Sequence, residues 1–178
     1  MDIVSYLLGK QSGGGGGSTS DYFDTEINTN SESVILKKIP TIVIADNVTS
    51  NSSILSGIYA EEIENVVGGA GLTSINNFFA NQSRLKKVTI NGITSTNINS
   101  LQSLFNNSPF MESITIENLN TEKVTNVSYM FNQCQYLVDL DLSWLTSKIV
   151  SNVSYMFLGC TRLKNLNLSN MGTHSVTT

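Results

Sequence analysis

The chain has 178 residues, room for one domain and a tail, with 40% hydrophobic residues to furnish a core and 13% charged residues, about half the usual globular share. Its formal net charge is −4 and it has no basic cluster to displace phosphate counterions, which argues against nucleic acid as a partner. No apolar run approaches the ~20 residues that span a bilayer, and no membrane partner is expected.

In chain order, residues 1–12 come first and read as a docking peptide. Ile3, Val4, Leu7 and Leu8 fall at i, i+1, i+4 and i+5, a stripe that a short helix puts on one face. Ten residues are too few to stay helical alone in water, so the stripe calls for something to dock against, a frayed terminus being the alternative. The acid at Asp2 stands where a secretory leader carries Lys or Arg, and no small-residue cleavage site follows Lys10. Either a leader has been removed or the protein reaches its place without one. Residues 13–20 contain Gly13 to Gly17 followed by Ser18-Thr19-Ser20, a flexible tether, because consecutive glycines lose too much backbone entropy on ordering.

Residues 21–70 are expected to form an N-terminal capping region over the open end of a repeat domain. Val34-Ile35-Leu36 and Ile39 to Ile44 predict short strands interrupted by Pro40. Ile58, Tyr59, Ile63, Val66 and Val67 predict a helix ending at Gly68-Gly69.

Residues 71–178 repeat with a step of 26, giving four copies and the start of a fifth. Phe79, Phe105, Phe131 and Phe157 mark the step, preceded by Phe78, Leu104, Met130 and Met156. Ile75, Leu101, Val127 and Val153 form a third column, and Leu85, Met111, Leu137 and Leu163 a fourth. Strand-like pairs follow at Val88/Ile90, Ile114/Ile116, Leu140/Leu142 and Leu166/Leu168, then Ile93, Leu119, Leu145 and Met171. A coil of this size cannot bury its apolar side alone, so stacked coils are expected to align the columns into one core beneath a parallel sheet. The i, i+3, i+4 spacing around Ile75–Phe79 predicts a short helix in the return arm. Val176-Thr177-Thr178 matches the opening of Val124 and Val150, which predicts that coils continue beyond the chain.

The two best copies run from Val124 through Val127-Ser-Tyr-Met-Phe131 and Cys134 to Leu140-Asp-Leu-Ser143, and from Val150 through Val153-Ser-Tyr-Met-Phe157 and Cys160 to Leu166-Asn-Leu-Ser169. This pattern resembles the BspA-type leucine-rich repeat of bacterial, mycoplasmal, protist and gut-phage surface proteins. The sequence departs from it at Gln82 and Ser108, in place of Cys, and at Leu145 and Met171, where the family often has Trp. The resemblance implies an α/β repeat: a right-handed leucine-rich-repeat-like solenoid with a short parallel sheet, preceded by the cap and the tether. It also implies a binding module displayed at a surface.

Chemistry-bearing residues are few. Cys134 and Cys160 share one column, close enough for a disulfide in adjacent coils, yet Gln82 and Ser108 in the same column favour buried free thiols. Two Cys without a nearby His make no metal site, and the single His174 builds no catalytic arrangement. Gly13–Gly17 lacks the Lys-Ser/Thr of a phosphate loop. No catalytic residue, metal or cofactor is expected, and the chain reads as a non-enzyme.

The expected ligand face is the outer side of the strands: Thr89, Thr115, Asp141 and Asn167, flanked by Lys87, Ser113, Asp139 and Asn165 and by Asn91, Glu117, Ser143 and Ser169. Trp144 stands where other copies have Gly92, Asn118 and Asn170, either as an exposed anchor or folded over the coil edge. The opening Met1 to Gly15 is similar to the leaders of gut-phage virion proteins. The first functional expectation is therefore a virion protein of tail, baseplate or fibre, assembled in the host cytoplasm. Its peptide 1–12 would bind other virion proteins and its repeats a host-surface glycan or protein. The alternative is a bacterial cell-surface adhesin. A spacer without ligand and a homo-oligomer are compatible with either.

Overall fold

The structure, a computed structural model, describes residues 34–48, 55 and 58–177. The docking peptide, the tether and the opening of the expected cap lie outside them. The described chain winds into a parallel β-solenoid of about five turns. Its strands are β1 (Val34–Ile39), β2 (Ile42–Ile44), β3 (Ile58–Ile63), β4 (Val66–Gly68), β5 (Lys87–Asn91), β6 (Ser113–Glu117), β7 (Asp139–Asp141), β8 (Val150–Asn152), β9 (Asn165–Asn167) and β10 (Thr173–Thr177).

Strands β1, β3, β5 and β6 form one parallel sheet in that order, with Ile39 opposite Ile63, Ile63 opposite Val88 and Val88 opposite Ile114. Strands β7 and β9 pair separately, Leu140 opposite Leu166, so the ladder is interrupted between β6 and β7. Two shorter parallel pairs, β2 with β4 and β8 with β10, line other edges of the coil. Alternation does the sorting: in β5, Val88 and Ile90 are buried while Lys87 is exposed.

The apolar columns stack as the repeat requires. Phe79, Phe105, Phe131 and Phe157 form a near-parallel ring ladder, with centroids 5.4, 5.7 and 5.7 Å apart and interplanar angles of 13°, 10° and 1°. Phe78, Leu104, Met130 and Met156 are buried beside them, as are Ile75, Leu101 and Val127. Burial falls off in the last described coil, where Leu166 is 39% exposed and Phe157, Leu163 and Leu168 are half-buried.

Two expected helices are absent, and the described residues contain no helix. The described part of the expected cap helix forms β3 and β4 instead, and Ile58, Ala60 and Ile63 of β3 pair in the sheet as part of a further coil. In the return arm, the i, i+3 spacing is real but reflects single turns: Phe78 N–H donates to the Ile75 carbonyl at 3.5 Å, and Ala80 N–H to Asn77 at 3.0 Å. Between these turns the backbone flips to the left-handed region at Asn77 (φ 59°) and Asn81 (φ 60°). A left-handed residue every fourth position stops helix propagation. The intervening N–H groups of Ile75, Asn77, Phe79 and Asn81 donate to the next coil at Ser100, Gln102, Leu104 and Asn106, and the following coils repeat the scheme.

Phe105 has a ring on either side of it and is fully buried, so Phe105→Ala is expected to lower stability by about 3–5 kcal/mol, measured by urea unfolding.

Candidate functional site

On the strand side, the structure gathers Asp139, Asp141, Asn165 and Asn167 into two cross-coil rungs. Asn165 Nδ2 donates to Asp139 Oδ1 at 2.5 Å and Asn167 Nδ2 to Asp141 Oδ1 at 3.0 Å. All four are exposed and line a shallow open depression with Glu112, Ser113 and Lys164. The Ser143 backbone N–H, 2.8 Å from Asp141 Oδ1, is the main cause holding that carboxyl below the usual carboxylate range, helped by the Asn167 amide. Thr89 and Thr115 are in register with each other on β5 and β6, across the sheet interruption from the aspartates.

Trp144 does not project as an anchor. It is half-buried against the core, and its indole N–H donates to the Asp141 carbonyl of its own coil at 3.1 Å. Its own carbonyl accepts the Thr121 hydroxyl at 3.1 Å, tying it to the preceding coil.

Cys134 and Cys160 are free thiols. Each donates to the carbonyl of a ladder phenylalanine, Cys134 to Phe105 at 3.2 Å and Cys160 to Phe131 at 3.0 Å. Ser108 does the same to Phe79 at 2.7 Å. In these three coils the position holds a small side chain with a donor, Ser or Cys, while Gln82 in the first coil donates its backbone N–H to Ser108 Oγ at 3.2 Å instead. Burial pushes the Cys134 thiol up to about 12 and raises Cys160 as well.

A second hydroxyl column went unread in the sequence. Ser95 and Ser147 are buried and donate to the Leu72 and Val124 carbonyls, both at 2.5 Å, and Thr121 occupies the same place between them. The 26-residue step that found the apolar columns would have found these three.

Sequence reading also passed over Tyr129 and Tyr155, on the outside of the return arm. Their rings stack at 4.9 Å with 27° between planes and are 36% and 57% exposed. Both sit in the left-handed region, φ 56° and 55°. Asn77 and Ser103, their column mates, share that conformation. The next outward column, four residues on, is Asn81, Asn107, Gln133 and Gly159, where Asn107 Nδ2 donates to Asn81 Oδ1 at 2.9 Å.

Among the described residues, no group of three or more His, Cys, Asp or Glu is placed to hold a metal, and no helix is long and apolar enough to cross a membrane. The sequence pattern of the family described as "Mycoplasma protein of unknown function, DUF285" matches residues 73–178. Neither the curated proteins nor the solved structures include a significant match.

Replacing Cys134 by Val leaves the buried Phe105 carbonyl without its side-chain donor, an expected cost of about 1–3 kcal/mol, whereas Cys134→Ser keeps a donor and is expected to cost less. The raised thiol also gives a sign to the pH dependence. Its contribution to stability is fully present below the ordinary thiol value of about 8.5 and is lost as pH rises towards about 12. Chemical denaturation of wild type and Cys134→Ser at pH 7 and pH 10 checks both, the wild type losing more over that interval.

Proposed function

The chain belongs to the Mycoplasma DUF285 family, whose pattern covers most of it, and we propose that its solenoid is a host-attachment module carried by a phage virion, in a tail, baseplate or fibre. The observation that carries the attachment reading is the arrangement of the polar side chains. They are tied from coil to coil, as Asn107 is to Asn81 on the return arm, instead of converging on one point. Such ties between coils suit repeated weak contacts along an extended ligand, while chemistry needs several groups aimed at one reacting atom. The virion placement is supported by the similarity of Met1 to Gly15 to virion-protein leaders, with Ile3, Val4, Leu7 and Leu8 as the docking stripe towards other virion proteins.

The bacterial cell-surface adhesin is the second reading. The family description names Mycoplasma, a bacterium, and a bacterial carrier is what distinguishes this reading. Both readings share the attachment role and differ in what carries the module.

Mass spectrometry of purified phage particles and of host envelope fractions separates the two. The virion reading expects peptides of this chain in particles at structural copy number, with incorporation lost on deleting residues 1–12. Peptides confined to the envelope fraction would replace it with the adhesin, and unchanged incorporation of the deletion would remove the docking role.

A further inference from the structure

We propose that the return-arm face centred on Tyr129 and Tyr155, and not the strand face, binds a neutral oligosaccharide. The proposal rests on the attachment reading and names its ligand class and its location. Three independent observations lead to it.

The first is backbone conformation. A left-handed backbone is costly for an L-residue with a large side chain, and Asn and Gly tolerate it best. In this column Asn77 accepts the conformation readily, and Ser103 has a small side chain. Tyr129 and Tyr155 take the same strained geometry with their rings 36% and 57% exposed, so burial in the core does not offset it. A strained, exposed aromatic pair marks a position shaped for an external contact.

The second is the distribution of charge. The sequence has no Asp, Glu, Lys, Arg or His from Asn65 to Ser83, from Val88 to Met111, from Val124 to Val138 or from Ile149 to Thr161. These stretches contain every return arm of the family-matched region. The charges fall on the strands and the turns beside them, at Lys87, Glu112, Asp139, Asp141 and Lys164 among others. A charge-free face cannot steer or neutralise an ionic ligand, and its complement is a neutral one.

The third is the chemistry that replaces charge. Beside the tyrosines run exposed or half-buried amides and hydroxyls: Asn81, Asn107, Gln133 and Ser154. A primary amide offers two N–H donors and a carbonyl with two lone pairs, and the bond from Asn107 to Asn81 uses one of each. A stacked, exposed aromatic pair for the C–H side of a pyranose, flanked by amides for its hydroxyls, matches a sugar in both apolar and polar character. Tyr offers an apolar body with a wet tip, the combination that such a ligand needs. A step of 26 residues between equivalent tyrosines lets successive sugars of one chain meet successive coils, so weak single contacts add.

The test uses the full chain against an array of neutral hexose and N-acetylhexosamine oligosaccharides with their sulfated and sialylated counterparts. Saturation-transfer NMR on the members that bind then gives affinities. Two double variants are compared: Tyr129→Ser with Tyr155→Ser, and Asp139→Asn with Asp141→Asn. Ser103 shows that the left-handed position takes serine, and circular dichroism with thermal melting confirms that both variants keep the fold. The expected result is binding of neutral members, weakened roughly tenfold or more by the tyrosine double and unchanged in the aspartate double. Absence of neutral binders, binding that survives the tyrosine double, or preference for charged glycans lost with the aspartates would each overturn the proposal. The particle and envelope measurement above is independent of all three outcomes, so failure of the ligand class and failure of the virion reading can be told apart.

Discussion

Everything in this solenoid depends on a division of labour among the peptide groups of the return arm. Alternate N–H groups bond within the coil, three residues back, and the others bond upward to the next coil. Phe79 N–H donates to the Leu104 carbonyl at 2.9 Å, and the peptide unit that carries this carbonyl also carries Phe105 N–H, which donates to Met130 at 2.9 Å. In a trans peptide the two groups point in opposite directions, so the units link head to tail along the stack. Four such columns begin at Ile75, Asn77, Phe79 and Asn81. They fix the step between coils, place each phenylalanine ring over the previous one, and demand the left-handed residues that turn the chain between bonds.

The side-chain columns serve the same backbone. Peptide carbonyls that the ladder does not use still need donors when buried. Ser108, Cys134 and Cys160 supply them to the phenylalanine carbonyls, and Ser95 and Ser147 supply them on the opposite turn of the coil. The cysteines are thus hydrogen-bond donors of small volume, and burial holds their thiols protonated. This also accounts for Ser108, Cys134 and Cys160 sharing one column of an otherwise apolar interior.

The core was legible in the sequence because burial of apolar columns is a strong, periodic signal. Phe79 and its mates, Ile75 and its mates, and the strand pairs all lie where the step places them. Local conformation was less legible. The i, i+3, i+4 pattern at Ile75–Phe79 is shared by a helix and by a chain of single turns, and only the left-handed residues distinguish them. Asn77, Asn81 and Asn107 carried that signal, since Asn tolerates the left-handed region, while Tyr129 and Tyr155 obscured it. Trp144 could not be placed from pattern alone, because its position depends on the carbonyl of Asp141 in its own coil. The aspartate–asparagine rungs were legible as columns, but the interruption between β6 and β7 that separates them from Thr89 and Thr115 was not.

The same division of labour explains why the two faces differ in character. On the strand side, the backbone bonds run between coils at consecutive residues, and outward side chains are held in register at the ladder spacing, where unlike groups can pair: Asp139 with Asn165, Lys86 Nζ with Glu61 Oε2 at 3.0 Å. Charges are tolerated there because a partner of opposite or neutral character sits one coil away. On the return arm some neighbouring coils place like side chains over one another, amide over amide at Asn81 and Asn107, ring over ring at Tyr129 and Tyr155. Like charges stacked in that way would repel at close range, whereas amides bond to one another and rings attract. Neutral side chains in these columns therefore avoid a repulsion that stacked like charges would meet. Nothing in that constraint calls for tyrosine in a left-handed position, however, since asparagine satisfies both requirements at Asn77. Neutrality suits the stack; the aromatic pair is not called for by it, and it is the pair that points outward to a ligand.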